Sequence, residues 1–145
     1  MSSSGSVGHS RKSHTSSKPR SARQVVQRFK RAGLPIGRVE VYTATTDLNH
    51  LLGRPGQYTS KANWIDTRIK GEGSSGTSID SVRGGSVEVF GTLADASRRA
   101  RYVRAVTQSS SAFVEYDFQR GSVLLRLSRD LTPAQASAYK AALKR

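Results

Sequence analysis

Residues 113–128, FVEYDFQRGSVLLRLS, decide the fold. Two runs of alternating apolar and polar residues flank Arg120-Gly121, the pattern of two half-buried strands joined by a tight turn. With Arg120-Gly121 as a two-residue loop, Phe118 faces Val123, Tyr116 faces Leu125 and Val114 faces Leu127, giving one apolar face. On the other face Glu115 stands opposite Arg126, a cross-strand ion pair.

Working outward, Leu131, Thr132 and Pro133 supply a hydrophobic staple, an N-cap and a first turn for a final helix with Ala136, Tyr139 and Leu143 inward. Upstream, Val87-Glu-Val-Phe90 reads as a strand. Thr92 and Asp95 then open a helix whose positions Leu93, Ala96, Ala100, Val103 and Val106 fall at helical spacing. Arg98, Arg99, Arg101 and Arg104 occupy its other faces. Ordered structure begins near Ser21, which caps a helix burying Val25, Val26 and Phe29 and stopping at Gly33 and Pro35. Arg38–Thr43 alternates as a strand, and Tyr58–Ile69 reads as another around Trp64, the only tryptophan.

The order is therefore α-β-(β)-β-α-β-β-α. Adjacent strands in runs predict a single α+β domain, residues 21–145, with a mostly antiparallel sheet of about four strands and helices on one face. Between Gly71 and Ser86, ten of sixteen residues are Gly or Ser, which predicts a mobile loop over 71–86. Residues 1–20 hold eight Ser and almost nothing apolar, so they predict a disordered basic tail.

Charge is the most unusual feature of the composition. The 145 residues carry 24 Lys and Arg against 10 Asp and Glu, a net charge of +14. Residues 1–38 contain nine basic groups and no acidic one. Such asymmetry favours an anionic partner, whether nucleic acid, an acidic lipid surface or a cell-wall polymer, with solubility as the alternative explanation. The residues for that role are Arg11, Lys12, Lys18 and Arg20 in the tail and Arg98, Arg99 and Arg101 in the second helix. No zinc finger, helix-turn-helix or ribonucleoprotein strand motif accompanies them, so the reading is non-sequence-specific. The absence of Cys removes disulfides, thiolate nucleophiles and Cys-based metal sites, and no apolar run is long enough for a membrane span.

Asp47 precedes His50 by three, a spacing that suits either a His oriented by a carboxylate or a local turn contact. Glu115 and Asp117 share a strand face, but Arg126 argues for an ion pair over sugar chemistry. Residues 53–61, GRPGQYTSK, offer glycine amides and the donors Arg54, Thr59, Ser60 and Lys61 to an anion, without the residue order of a Walker loop. The reading is therefore a small basic binding domain of unidentified ligand, a monomeric non-enzyme with no cofactor and no metal, whose ligand face is His50, Arg54, Tyr58, Lys61 and Trp64; the alternative is a non-sequence-specific nucleic-acid or other polyanion binder.

Residues 33–66 (GLPIGRVEVYTATTDLNHLLGRPGQYTSKANWID), 84–103 (GGSVEVFGTLADASRRARYV) and 115–143 together resemble a domain of small actinobacterial and firmicute hypothetical proteins and lipoproteins. The segment His50–Lys61 is the most specific part. The resemblance implies no established enzymatic activity. It also implies export behind a signal peptide, a lipobox cysteine and a polar linker. This chain shows neither the apolar export segment nor the cysteine. The expected location is cytoplasmic as the sequence is written, and extracytoplasmic if the true start lies upstream.

Overall fold

The computed structural model describes residues 21–71 and 83–144, together with Gly5. The elements run α1 (Ala22–Arg31), β1 (Ile36–Val41), β2 (Ser60–Asp66), β3 (Gly84–Val89), α2 (Leu93–Gln108), β4 (Glu115–Arg120), β5 (Val123–Ser128) and α3 (Pro133–Leu143). A short 3-10 turn, Ser111–Phe113, leads into β4. The five strands form one antiparallel sheet in the order β1-β2-β3-β5-β4, an α+β domain with one strand more than the four expected. The basic tail residues Arg11, Lys12, Lys18 and Arg20 lie outside the described residues.

The helix boundaries follow from capping chemistry. Ser21 and Gln24 form a complete capping box at α1, as Thr132 and Gln135 do at α3, where Pro133 takes the first turn. At α2 the Thr92 side chain accepts from the Asp95 amide at 3.1 Å. α1 buries Val25, Val26 and Phe29, and α3 buries Ala136, Tyr139 and Leu143, as their spacing requires. In α2 the buried stripe is Ala96, Ala100, Val103 and Thr107. Leu93 and Val106 sit at the margins of that stripe and are exposed by 62% and 41%.

The hairpin keeps the expected faces but shifts its register. Arg120 pairs with Val123, Phe118 with Leu125 and Tyr116 with Leu127, so the loop is Gly121-Ser122. Gly121 has φ 55°, and a two-residue hairpin favours a positive-φ glycine at its first central position. Moving the loop by one residue shifts the pairing by two, an even number, so no side chain changes face. Val114 falls outside β4 and is exposed.

Contrary to the expectation of helices on one face, α1 and α3 lie on one side of the sheet and α2 on the other. α1 and α3 pack with Ala62, Trp64, Val87, Val123, Leu125 and Leu127 on one side of the sheet. There Phe29, Trp64 and Tyr139 form an aromatic cluster with ring centroids 5.2–5.7 Å apart. α2 covers the opposite side, where Ala96, Ala100 and Val103 join Tyr58, Phe90 and Leu124. Residues 84–86, assigned by composition to the Gly/Ser loop, belong to β3. Gly84 and Gly85 are packing residues here. A Cβ at Gly85 would overlap the Trp64 indole, and one at Gly84 would overlap the Trp64 carbonyl.

A charged layer and a cleft beneath helix α2

The strand register concentrates charge on the α2 side of the sheet. Asn63, Ser86, Arg126 and Asp117 line up across β2, β3, β5 and β4, with Lys61 and Glu88 paired in the adjacent row. Glu88 is fully buried and is shared by three cations: Arg99 Nε at 2.9 Å, Arg126 Nη1 at 3.6 Å and Lys61 Nζ at 3.9 Å. A buried carboxylate is tolerated only when its charge is compensated, and here the surplus lies on the cationic side. Burial lowers the Lys61 pKa, against the opposing pull of Glu88.

Arg126 also binds Glu115 through two bonds of 2.7 and 2.8 Å. Burial alone would raise the Glu115 pKa, but the bidentate guanidinium holds it below the usual carboxylate range. Its strand neighbour Asp117 has no such partner, and its Oδ1 is buried without a hydrogen bond. Burial, then the hydrogen bond and charge of Glu115, push the Asp117 pKa up to about 8. At neutral pH one carboxyl of this pair is ionised and the other carries a proton. Both line an open cavity of about 370 Å³ with Arg104, Thr107, Gln108 and Ser111.

The loop between β1 and β2 is organised by an internal anion. Asp47 is buried, and its carboxylate accepts the amides of Asn49, Leu51 and Leu52 and the Tyr58 hydroxyl, the last at 2.7 Å. Burial acts to raise its pKa, but these four donors together bring it below the ordinary value. His50 adopts φ 53° and turns the chain so that the following amides reach Asp47. Its own amide donates to the Asp47 carbonyl at 3.0 Å, and its side chain is exposed. The Asp47 carboxylate is therefore committed to the loop, as the turn-contact reading of Asp47 and His50 requires.

The same bonds account for the residue 53–61 segment. Gly53 N donates to the Tyr58 carbonyl, Arg54 N to the Leu51 carbonyl and Gln57 N to the Arg54 carbonyl, each at 3.0 Å. These amides close turns within the loop, and Lys61 points instead at Glu88. Of the five residues expected to form a ligand face, His50 and Arg54 are exposed, Lys61 is 8% exposed, and Tyr58 and Trp64 are fully buried. Tyr58 packs on the α2 side and Trp64 on the α1 side, so the five form no common surface.

The structure does bring the loop to the α2 arginines. Leu51, Gly56 and Gln57 from the loop, with Asp95, Arg98, Arg99 and Tyr102 from α2, line a cleft of about 300 Å³. Gly56, at φ 75°, lets the loop approach closely: a Cβ there would lie 3.1 Å from Arg98 Nη1. Arg98 pairs with Asp95 at 3.0 Å on the rim. The Arg99 guanidinium lies 5.9 Å from the Tyr58 ring centroid and 5.5 Å from that of Tyr102. Tyr102 is 61% exposed, and the sequence reading did not single it out. The available signal was its position off the Ala96–Ala100–Val103 stripe, where a solvent-facing polar residue is the norm.

The chain matches no protein-family model, no curated protein and no solved structure. Among the described residues, no helix is long and apolar enough to cross a membrane.

Proposed function

We propose that this is a binding domain whose ligand is a polyanion, held chiefly by charge. The observation that supports it is how the fold partitions its own charges. Among the described residues Asp130 is the only carboxylate with an exposed side chain, while Arg23, Lys30, Arg31, Arg101, Arg104, Arg120 and several further cations are exposed. Asp47, Asp66 and Glu88 are fully buried and paired internally. Among the described residues three of eight carboxylates are buried, four are partly buried and one is exposed, whereas most of the lysines and arginines are exposed, so the described surface is predominantly cationic. Such a surface neutralises phosphates or other repeated anions and releases their counterions. The tail, with Arg11, Lys12, Lys18 and Arg20, adds to the same field.

A salt titration tests this. The full chain is measured against labelled nucleic acid and inorganic polyphosphate by fluorescence anisotropy at physiological ionic strength and above. The reading predicts binding to both, with log affinity falling linearly as log salt rises. Charge reversal at Arg101 and Arg104 should flatten that slope. Absence of binding at physiological salt would leave the cationic surface as a solubility feature only.

A further inference from the structure

The cleft between α2 and the 51–57 loop carries more than charge. Tyr102 is 61% exposed, on a helix face where a charged residue would serve solubility better. Its neighbour Arg99 is anchored to Glu88 at 2.9 Å and holds its guanidinium over one face of the ring, 5.5 Å from the centroid, so that the other face is the one left for a ligand to stack on. Leu51 contributes an apolar wall, and Gln57 a side-chain amide able to donate and accept. Arg98 stands at the rim, and Arg101 follows it one turn further along α2. At about 300 Å³ the cleft is the size of a small-ligand pocket, too small for a duplex.

A ring, an apolar wall, an amide and rim cations are the parts that hold one base of a flexible strand. We propose that this cleft takes a nucleobase of single-stranded nucleic acid. The base stacks on Tyr102, Gln57 meets its edge, and Arg98 and Arg101 receive the flanking phosphates. This rests on the polyanion reading and narrows it. A polymer without bases gives Tyr102 nothing to stack on, and in a duplex the base faces are already covered by their neighbours.

The test compares labelled oligothymidylate with inorganic polyphosphate of matched charge, at physiological salt, on the full chain and on Tyr102→Ala. Wild type should favour oligothymidylate. Tyr102→Ala should lower that affinity about tenfold, the equivalent of ~1.4 kcal/mol, and leave polyphosphate binding unchanged. Tyr102→Phe should retain binding, and Tyr102→Leu, which keeps bulk without a π face, should behave like the alanine variant. The stacking proposal fails if wild type binds both probes alike, if Tyr102→Ala leaves oligothymidylate affinity intact, or if it weakens both probes equally. If wild type binds neither probe, the polyanion reading fails with it.

Discussion

Arg126 stands directly opposite Asp117 across the β4–β5 ladder, yet it gives its two shortest side-chain bonds to Glu115, diagonally removed. One guanidinium thus stabilises one carboxylate of the pair and leaves the other to keep its proton.

That division predicts a specific pH dependence. The folded-state pKa of Asp117, about 8, lies above its ordinary value of 3.8. The folded chain binds a proton there that the unfolded chain releases, so this group's contribution is full below pH 3.8 and is lost as pH rises toward 8. The limiting slope for one proton is about 1.4 kcal/mol per pH unit. Asp117→Asn, which mimics the neutral acid, should be at least as stable as wild type at pH 7 and should flatten this decline. Urea denaturation of both proteins from pH 5 to 9 checks it; parallel curves would mean that Asp117 is ionised throughout.

Glu88 should be among the least replaceable residues on the α2 side. Three cations converge on it, and Glu88→Gln leaves Lys61 and Arg99 without their counter-charge in a buried layer, while Arg126 keeps Glu115. Removing one partner of a buried ionic cluster costs about 3–5 kcal/mol. Arg99→Ala removes a single cation and leaves Arg126 and Lys61 on Glu88, so it should cost less. Chemical denaturation of the two variants gives the order directly, and the reverse order would show that Glu88 is not the hub.

Most of the fold was legible because its signals are local. Caps at Ser21, Thr92 and Thr132 and alternation in residues 113–128 depend on neighbours a few positions away. The hairpin register was misjudged by two because choosing between Arg120-Gly121 and Gly121-Ser122 depends on the φ of one glycine. The ligand face was legible only in part. Lys61 and Trp64 are three apart in β2, an odd separation that puts them on opposite faces, but the limits of that strand were needed to apply the rule. The cleft was hidden for another reason: Gln57 and Tyr102 meet only when the loop folds onto α2.

Gly85 was read as loop composition, and its close approach to Trp64 predicts a large effect. Gly85→Ala places a methyl group in space held by the indole and 2.9 Å from Leu127 Cδ2. The indole is fully buried and packs against both Phe29 and Tyr139, so it cannot yield without displacing them. Overpacking of this kind costs typically ~1–3 kcal/mol, and a rigid ring puts it at the upper end. The variant should also shift the fluorescence of the single tryptophan. An unaltered spectrum with unaltered stability would show Gly85 to be a loop residue after all.

The Asp47 carboxylate predicts how firmly the cleft wall is held. Its bonds to the Leu51 and Leu52 amides, 3.0 Å each, and to the Tyr58 hydroxyl tie the loop to the buried ring beside Arg99. Asp47→Ala leaves these donors unmatched in a partly buried setting, and each bond to a charged acceptor is worth ~1.5–3 kcal/mol. The loop should open locally before the sheet does, since Leu51 and Leu52 are only partly buried whereas β3 is covered on both faces. Hydrogen exchange should therefore accelerate at the Leu51 and Leu52 amides, with little change at Val87 and Leu125. The same opening would separate Gln57 from Tyr102, so oligothymidylate binding should weaken while polyphosphate binding persists. Uniform acceleration across the sheet would place Asp47 in the global core and remove this loop as an independently mobile wall of the cleft.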